Sequence, residues 1–357
     1  ALEAIDLAIE NVSCFHNAQL PGSIDIETMS GIRCERVCQP IDAVGLYVPA
    51  GSAPLPSAAI MLAVPASIAS CPTRIMCTPP QKSGFADPAV ITAARRSGVD
   101  KIFKIGGAQA IAAMAYGTES VPKVDRIFGP GNAWVTAAKS IVSSDMDGAS
   151  IDMPAGPSEV LVIADENADA AFVASDLISQ AEHGADSQAI LLTTCRTLAE
   201  AVAREISSQL EGLPRAEIAS RALRNSRILL VDDLETAVSI SNRYAPEHLI
   251  LQISEPRSWL PRIRNAGSVF LGCWSPESAG DYCSGTNHVL PTYGFARSYS
   301  GLGIDQFMRY MTVQELSADG LRSIAPAIVE LARLEGLEAH AAAVEIRLGR
   351  SSCTELP

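Results

Sequence analysis

Val44-Gly45-Leu46-Tyr47-Val48 is a short apolar run rich in β-branched residues, and from there the chain alternates such runs with alanine-rich stretches. Residues 74–77, 101–105 and 124–128 read as further strands, with helices of ordinary length between them. Strands separated by helical stretches must run parallel, with helices covering both faces of the sheet. After Met153-Pro154-Ala155-Gly156-Pro157-Ser158 the pattern restarts, with strands expected at 159–164, 188–193, 227–231 and 249–253. A second α/β unit follows, and the proline and glycine cluster at 154–157 is the boundary signal.

Past Phe270 the regular pattern stops. Gly272-Cys273-Trp274-Ser275-Pro276-Glu277-Ser278-Ala279-Gly280-Asp281-Tyr282 reads as a loop, too rich in glycine, serine and proline for a regular element, and long loops in compact domains tend to be functional. The tail from 317 to 348 reads as helical, broken at Gly336. At 357 residues there is room for two α/β units, and 48% apolar against 19% charged residues describes a folded chain. A formal net charge of −13 argues against a nucleic-acid partner. The longest apolar run, 58–69, is too short for a membrane span and is cut by Pro65. Residues 1–20 lack the basic start and apolar core of a signal peptide, so a cytoplasmic location is expected. Nine cysteines show no spacing that completes a four-thiolate zinc site and are expected to be reduced, mostly buried thiols.

Three kinds of segment carry possible chemistry. In Ser179-Gln180-Ala181-Glu182-His183-Gly184-Ala185-Asp186 an amide and an imidazole lie three residues apart, at the end of a helix expected over 168–178. They would share its last turn, where the unpaired carbonyls favour a cation. The pair fits a metal site; otherwise it is a histidine that caps the final carbonyls or faces water. Arg243-Tyr244-Ala245-Pro246-Glu247-His248-Leu249 sets a carboxylate beside an imidazole between a helix and a strand. At the carboxyl-end rim of a sheet such a pair serves proton transfer; otherwise it is a solvent-facing glutamate beside a half-buried histidine. Gly106-Gly107-Ala108-Gln109 and Gly129-Pro130-Gly131-Asn132 each follow a strand and open a helix. Either could hold a phosphate or serve as a structural turn, and the absence of GxGxxG excludes a standard Rossmann dinucleotide fingerprint.

Taken together, Gly45-Leu46-Tyr47-Val48-Pro49-Ala50-Gly51, Gly106-Gly107-Ala108-Gln109-Ala110, Phe128-Gly129-Pro130-Gly131-Asn132, Pro154-Ala155-Gly156-Pro157-Ser158-Glu159, Gln180-Ala181-Glu182-His183, Ala245-Pro246-Glu247-His248, Ser278-Ala279-Gly280-Asp281-Tyr282 and Glu335-Gly336-Leu337-Glu338-Ala339-His340 resemble the histidinol dehydrogenase family. The resemblance implies two incomplete doubly wound, Rossmann-like α/β domains and a small C-terminal helical region. Residues 1–46 with 156–302 would carry zinc and catalysis, 47–155 the NAD side, and 303–357 the dimer contact. It implies oxidation of L-histidinol to L-histidine through L-histidinal with two NAD reduced, the last step of histidine biosynthesis.

By the same resemblance Gln180, His183, Asp281 and His340 would bind zinc, a nitrogen and oxygen set without thiolate. His248 would be the general base and Glu247 would activate the water that hydrates the aldehyde. Besides the zinc ligands and His248, Ser158, His288 and Glu335 would contact substrate, with Glu335 suited to a cationic amine. Tyr47, Gln109 and Asn132 would contact NAD. The active site would be shared in a homodimer, Glu335 and His340 coming from the second copy. Family members normally carry a longer N-terminal segment, part of which takes part in dimer formation, so dimer stability is expected to be affected more than chemistry.

Overall fold

The run at 159–164 folds as a strand buried along its whole length, as a central strand covered on both faces must be. The computed structural model describes residues 1–50, 53–153 and 156–349. Gly51, Pro154 and Ala155, which belong to two of the quoted motifs and in part to the boundary signal, lie outside the described residues. The elements follow as α1 (Leu2–Asn17), β1 (Ile24–Met29), β2 (Ile32–Pro40), β3 (Ala43–Tyr47), α2 (Pro56–Ile68), β4 (Thr73–Cys77), α3 (Pro88–Arg96), β5 (Lys101–Phe103), α4 (Ala108–Tyr116), β6 (Arg126–Phe128), α5 (Ala133–Ser144) and β7 (Ser150–Ile151). Next come β8 (Glu159–Ala164), α6 (Ala170–Ala181), β9 (Gln188–Thr193), α7 (Arg196–Leu210), α8 (Ala216–Arg224), β10 (Arg227–Leu230), α9 (Leu234–Tyr244), β11 (His248–Gln252), β12 (Ser268–Leu271) and α10 (Glu277–Tyr282). The chain closes with β13 (Met308–Leu316), α11 (Ala318–Leu334) and α12 (Glu338–Leu348).

Two compact units result. The larger is built from residues 1–20 and 40–307, the smaller from 21–39 and the chain from Met308 onward. The larger holds two five-stranded parallel sheets, ordered β5-β4-β3-β6-β7 and β10-β9-β8-β11-β12. In each, the chain builds outward on one side of a central strand and then crosses to the other, which makes the junctions β3/β6 and β8/β11 topological switch points. Alternate residues of β8 feed opposite faces. Val160 and Val162 pack with Leu177 and Leu191, while Leu161 and Ile163 pack with Leu249 and Leu251.

Helix α2 continues through Pro65 instead of ending there, and its stretch 57–66 is buried. Proline has no N–H, so the Met61 carbonyl four residues earlier loses its helical partner. Asn287 supplies one, its Nδ2 donating to Met61 O at 2.7 Å. Helix α2 is thereby fastened to the stretch that carries His288.

In the smaller unit β1 and β2 pair antiparallel, and β13 adds to β2 in a three-stranded sheet. Ser317 caps α11 by accepting from Gly320 N at 3.0 Å, and Gly336, at φ +74°, separates α11 from α12. The C-terminal region therefore is not purely helical: it opens with a strand and draws in residues 21–39. The expected boundary at 46/47 falls inside β3, which pairs with β4 and β6 over Ala43–Tyr47. Nor is 272–282 all loop, because α10 occupies its second half.

Candidate active site

Helix α6 starts where Asp169 accepts from Ala171 N at 2.8 Å and Phe172 N at 3.3 Å, and it ends at Ala181. Gln180 is fully buried in its last turn. His183 lies beyond the helix end, not on that turn as the spacing suggested. Its N–H donates to Gln180 O at 3.2 Å in the turn toward β9, and its side chain is half exposed. Helix α10 brings Glu277 and Asp281 one turn apart, both buried. Gly280 lets that helix approach closely, since a Cβ there would lie 2.8 Å from the Phe270 ring.

His248 is the first residue of β11, in register with Val160 of β8. The Glu247–His248 pair thus stands at the amino-end rim of the second sheet, not the carboxyl-end rim. Helix α9 ends at Ala245 in the left-handed conformation (φ +57°), Pro246 follows, and the strand begins at once. Glu159, the first residue of β8, holds both members of the pair through its backbone. Its N–H donates to Glu247 Oε2 at 2.8 Å, and its carbonyl lies 3.1 Å from His248 Nδ1.

A carbonyl only accepts, so the second contact assigns the imidazole proton to Nδ1. His248 Nε2 is then a free lone pair. It is buried without a hydrogen-bond partner, 3.7 Å from Asp281 Oδ1. The Gln180 amide, oriented to suit its surroundings, donates from nitrogen to Glu277 Oε1 at 2.8 Å and Oε2 at 3.1 Å. That nitrogen is also 3.1 Å from His248 Nδ1, but in this tautomer only the Glu277 carboxyl accepts from it. His288 Nδ1 is 4.0 Å from Asp281 Oδ1, and its Nε2 is another buried ring nitrogen without a partner.

Burial sets the protonation of the cluster. It pushes Asp281 up to about 7 and Glu247 and Glu277 well above the usual carboxylate range. Burial also lowers His248 to about 3 and His288 to about 4. Buried acids that resist ionising and neutral imidazoles that resist protonation make a site lacking a positive charge. One ligand atom each from His183, Glu277 and Asp281 lies within 4.8 Å of the others, so the donor set fits a divalent cation bound by nitrogen and oxygen. Such a cation would hold the carboxyls ionised.

The larger unit therefore brings together Gln180, His183, Glu247, His248, Asp281 and His288, with Ser158 just before Glu159. Glu335 and His340 belong to the smaller unit, where both are exposed, Glu335 at the end of α11 and His340 in the first turn of α12. Glu159 and Glu277 were not singled out from the sequence. Glu277 immediately precedes the Ser278–Tyr282 motif, and its four-residue spacing from Asp281 was the available signal. Tyr47, Gln109 and Asn132 stand apart from this cluster, at the carboxyl rim of the first sheet. Tyr47 ends β3 and accepts from Gly107 N at 2.9 Å, Gln109 is exposed in the first turn of α4, and Asn132 caps α5.

The model of the histidinol dehydrogenase family matches residues 1–348. The chain belongs to that family. A histidinol dehydrogenase from Vibrio vulnificus (strain YJ016) is 58% identical over 346 residues, 97% of this chain and 79% of its own. The crystal structure of histidinol dehydrogenase from Elizabethkingia anophelis superposes with a TM-score of 0.94 at 50% identity, covering 97% of this chain and 80% of that one. An acetylating aldehyde dehydrogenase from Geobacillus thermoglucosidasius shares the fold alone, with a TM-score of 0.56 at 13% identity over 88% of each chain. As in the histidinol dehydrogenase structure, the fold is mixed α/β with two parallel sheets and C-terminal helices. Among the described residues no helix is long and apolar enough to cross a membrane.

Proposed function

We propose that the chain oxidises L-histidinol to L-histidine through L-histidinal, reducing two NAD, as the last step of histidine biosynthesis. The observation that carries the mechanism is His248, buried, with its proton held on Nδ1 by the Glu159 carbonyl and its Nε2 lone pair free. In the first half-reaction Nε2 would take the hydroxyl proton, and NAD, when bound, would supply the acceptor for the hydride of the carbinol carbon, leaving the aldehyde. Glu247, fixed by the Glu159 N–H, directs a water onto that aldehyde. Once His248 has passed the first proton to solvent, its Nε2 would take a proton from the hydrate as the second hydride departs, giving the carboxylic acid, which ionises to the carboxylate.

Gln180, His183 and Asp281, with His340, would hold zinc, which when bound supplies a fixed anchor for the substrate's imidazole and amine. Ser158 and His288 line the substrate's place, and Glu335 would pair with the amine by charge. Glu335 and His340 are proposed to come from a second copy, completing a shared site in a homodimer. The apolar side chains of Leu331, Leu334, Leu337 and Ile346, all exposed on α11, α12 and their junction, support a partner surface there. NAD would lie at the carboxyl rim of the first sheet, by Tyr47, Gln109 and Asn132, and the cytoplasm is the proposed location.

The test is NADH formation from L-histidinol, with and without chelation and zinc add-back. Two NADH per histidinol, lost on chelation and restored by zinc, supports the reaction and the metal together. No NADH from a folded, zinc-loaded dimer would refute it in favour of another substrate.

A further inference from the structure

The turn Gly129-Pro130-Gly131-Asn132 leaves β6 beside the end of β3, at the switch point of the first sheet, where open parallel sheets bind ligands. Its backbone fits so closely against β3 that a Cβ at Gly129, where φ is +124°, would lie 2.1 Å from Tyr47 O. Beneath it is an ion pair between Lys139 of α5 and Asp152, which follows β7, with both side chains almost fully buried. The pair grips one residue of the turn from both sides. Asp152 Oδ2 accepts from Gly129 N at 2.7 Å, and Lys139 Nζ donates to Gly129 O at 2.9 Å. Asp152 Oδ1 accepts from Met153 N at 2.8 Å as well as from Lys139.

A buried ion pair is a poor source of stability, because the desolvation of both ions offsets their attraction; apolar residues of similar volume often serve as well. What this pair does that an apolar pair cannot is fix the peptide groups on both sides of Gly129. The neighbouring side-chain cap is placed by the same turn: Asn132 Oδ1 accepts from Trp134 N and Val135 N at 3.1 Å each, opening α5.

We propose that Lys139 and Asp152 are positioning residues for the dinucleotide: their ion pair holds the 129–132 turn in its binding shape before NAD arrives. This rests on the reading that NAD occupies the carboxyl rim of the first sheet. Holding the turn ready removes the ordering cost from the binding step, so the loss of the pair should fall on NAD affinity and not on the substrate.

The test is the doubly neutral variant Lys139→Met/Asp152→Asn, which keeps shape and leaves no lone buried charge. The expected result is a KM for NAD raised tenfold or more, with the KM for histidinol within twofold of the unaltered enzyme. An unchanged KM for NAD, or equal rises in both constants, overturns the proposal. Asn132→Ala is assayed alongside. If it too leaves the KM for NAD unchanged, the dinucleotide binds elsewhere and the underlying reading fails, not only the role of the pair. Should the double variant not fold, amide hydrogen exchange on the unaltered enzyme decides. A Gly129 amide already protected without NAD supports the proposal, and one that becomes protected only when NAD is added overturns it.

Discussion

The contact between Asn287 and α2 joins a backbone defect to the candidate active site, and its energetics can be measured. Pro65 leaves the buried Met61 carbonyl without a helical donor, and Asn287 Nδ2 fills the gap at 2.7 Å. Asn287 Oδ1 also accepts from Val289 N at 3.0 Å, so the side chain straddles His288. Asn287→Ala leaves a buried carbonyl and a buried N–H unpaired. At about 1–3 kcal/mol for each orphaned group, the loss is about 2–6 kcal/mol. For a chain of this size that lowers the Tm by roughly 4–12 °C, at about 2 °C per kcal/mol. Pro65→Ala restores an N–H that can close the helical bond to Met61. In that background Asn287→Ala should cost about 1–3 kcal/mol less, a coupling of roughly 2–6 °C between neighbouring sites. The assay is thermal unfolding of the four proteins of the cycle, together with the KM for histidinol, which should rise in the Asn287 variant as His288 loses its support. Strictly additive Tm shifts would refute the idea that Asn287 replaces the bond that proline removes.

His248→Asn should lower kcat for histidinol by about 10²–10⁴-fold while leaving NAD binding intact, as read by steady-state kinetics and NAD titration. Glu247→Gln should slow the second oxidation more than the first, so that rapid-quench assays detect one NADH formed ahead of the other; equal slowing of both argues against a role in aldehyde hydration. Stripped of metal, the protein should gain stability as the pH is lowered from 8 to about 6.5. Asp281 and Glu159, both near 7 when folded, and Glu247 and Glu277, which burial also raises well above the usual carboxylate range, bind protons that the unfolded chain, with carboxyls near 4, does not. That contribution disappears as the pH rises through the folded values, while His248 and His288 are neutral in both states over most of this range. Melting curves of the chelated protein test the sign, and zinc should flatten the dependence. Gly280→Val should displace α10 from Phe270 and lower the zinc content of the purified protein, since Glu277 and Asp281 ride on that helix.

What the sequence made legible was what local pattern alone determines. Strands β8 and β9 lie where expected, residue for residue, because a central strand must be a continuous apolar run. The sheet of β1, β2 and β13 was not visible: β1 is exposed throughout, and β13 joins β2 across some 270 residues of chain, which no local window contains. Helix α10 was hidden by composition, its six residues owing their form to packing on Phe270 more than to helix propensity. At the site, the residue types in the motifs named the chemistry, and Glu277 escaped because it stands one position before the motif that drew attention. The rim was misread for a different reason. A segment that leaves a helix and enters a strand lies at the amino end of a parallel sheet, and one that leaves a strand and enters a helix lies at the carboxyl end. Pro246-Glu247-His248 runs from α9 into β11, and Glu182-His183-Gly184 runs from α6 into β9, so both belong to the amino rim. Gly106-Gly107 and Gly129–Asn132 run from strand to helix and belong to the carboxyl rim. Chain order alone therefore assigns His183, Glu247 and His248 to the amino rim and the glycine turns to the carboxyl rim, whereas Asp281 reaches His248 only through α10, which follows a strand. That division is what a reaction between an anchored substrate and a separately bound dinucleotide requires.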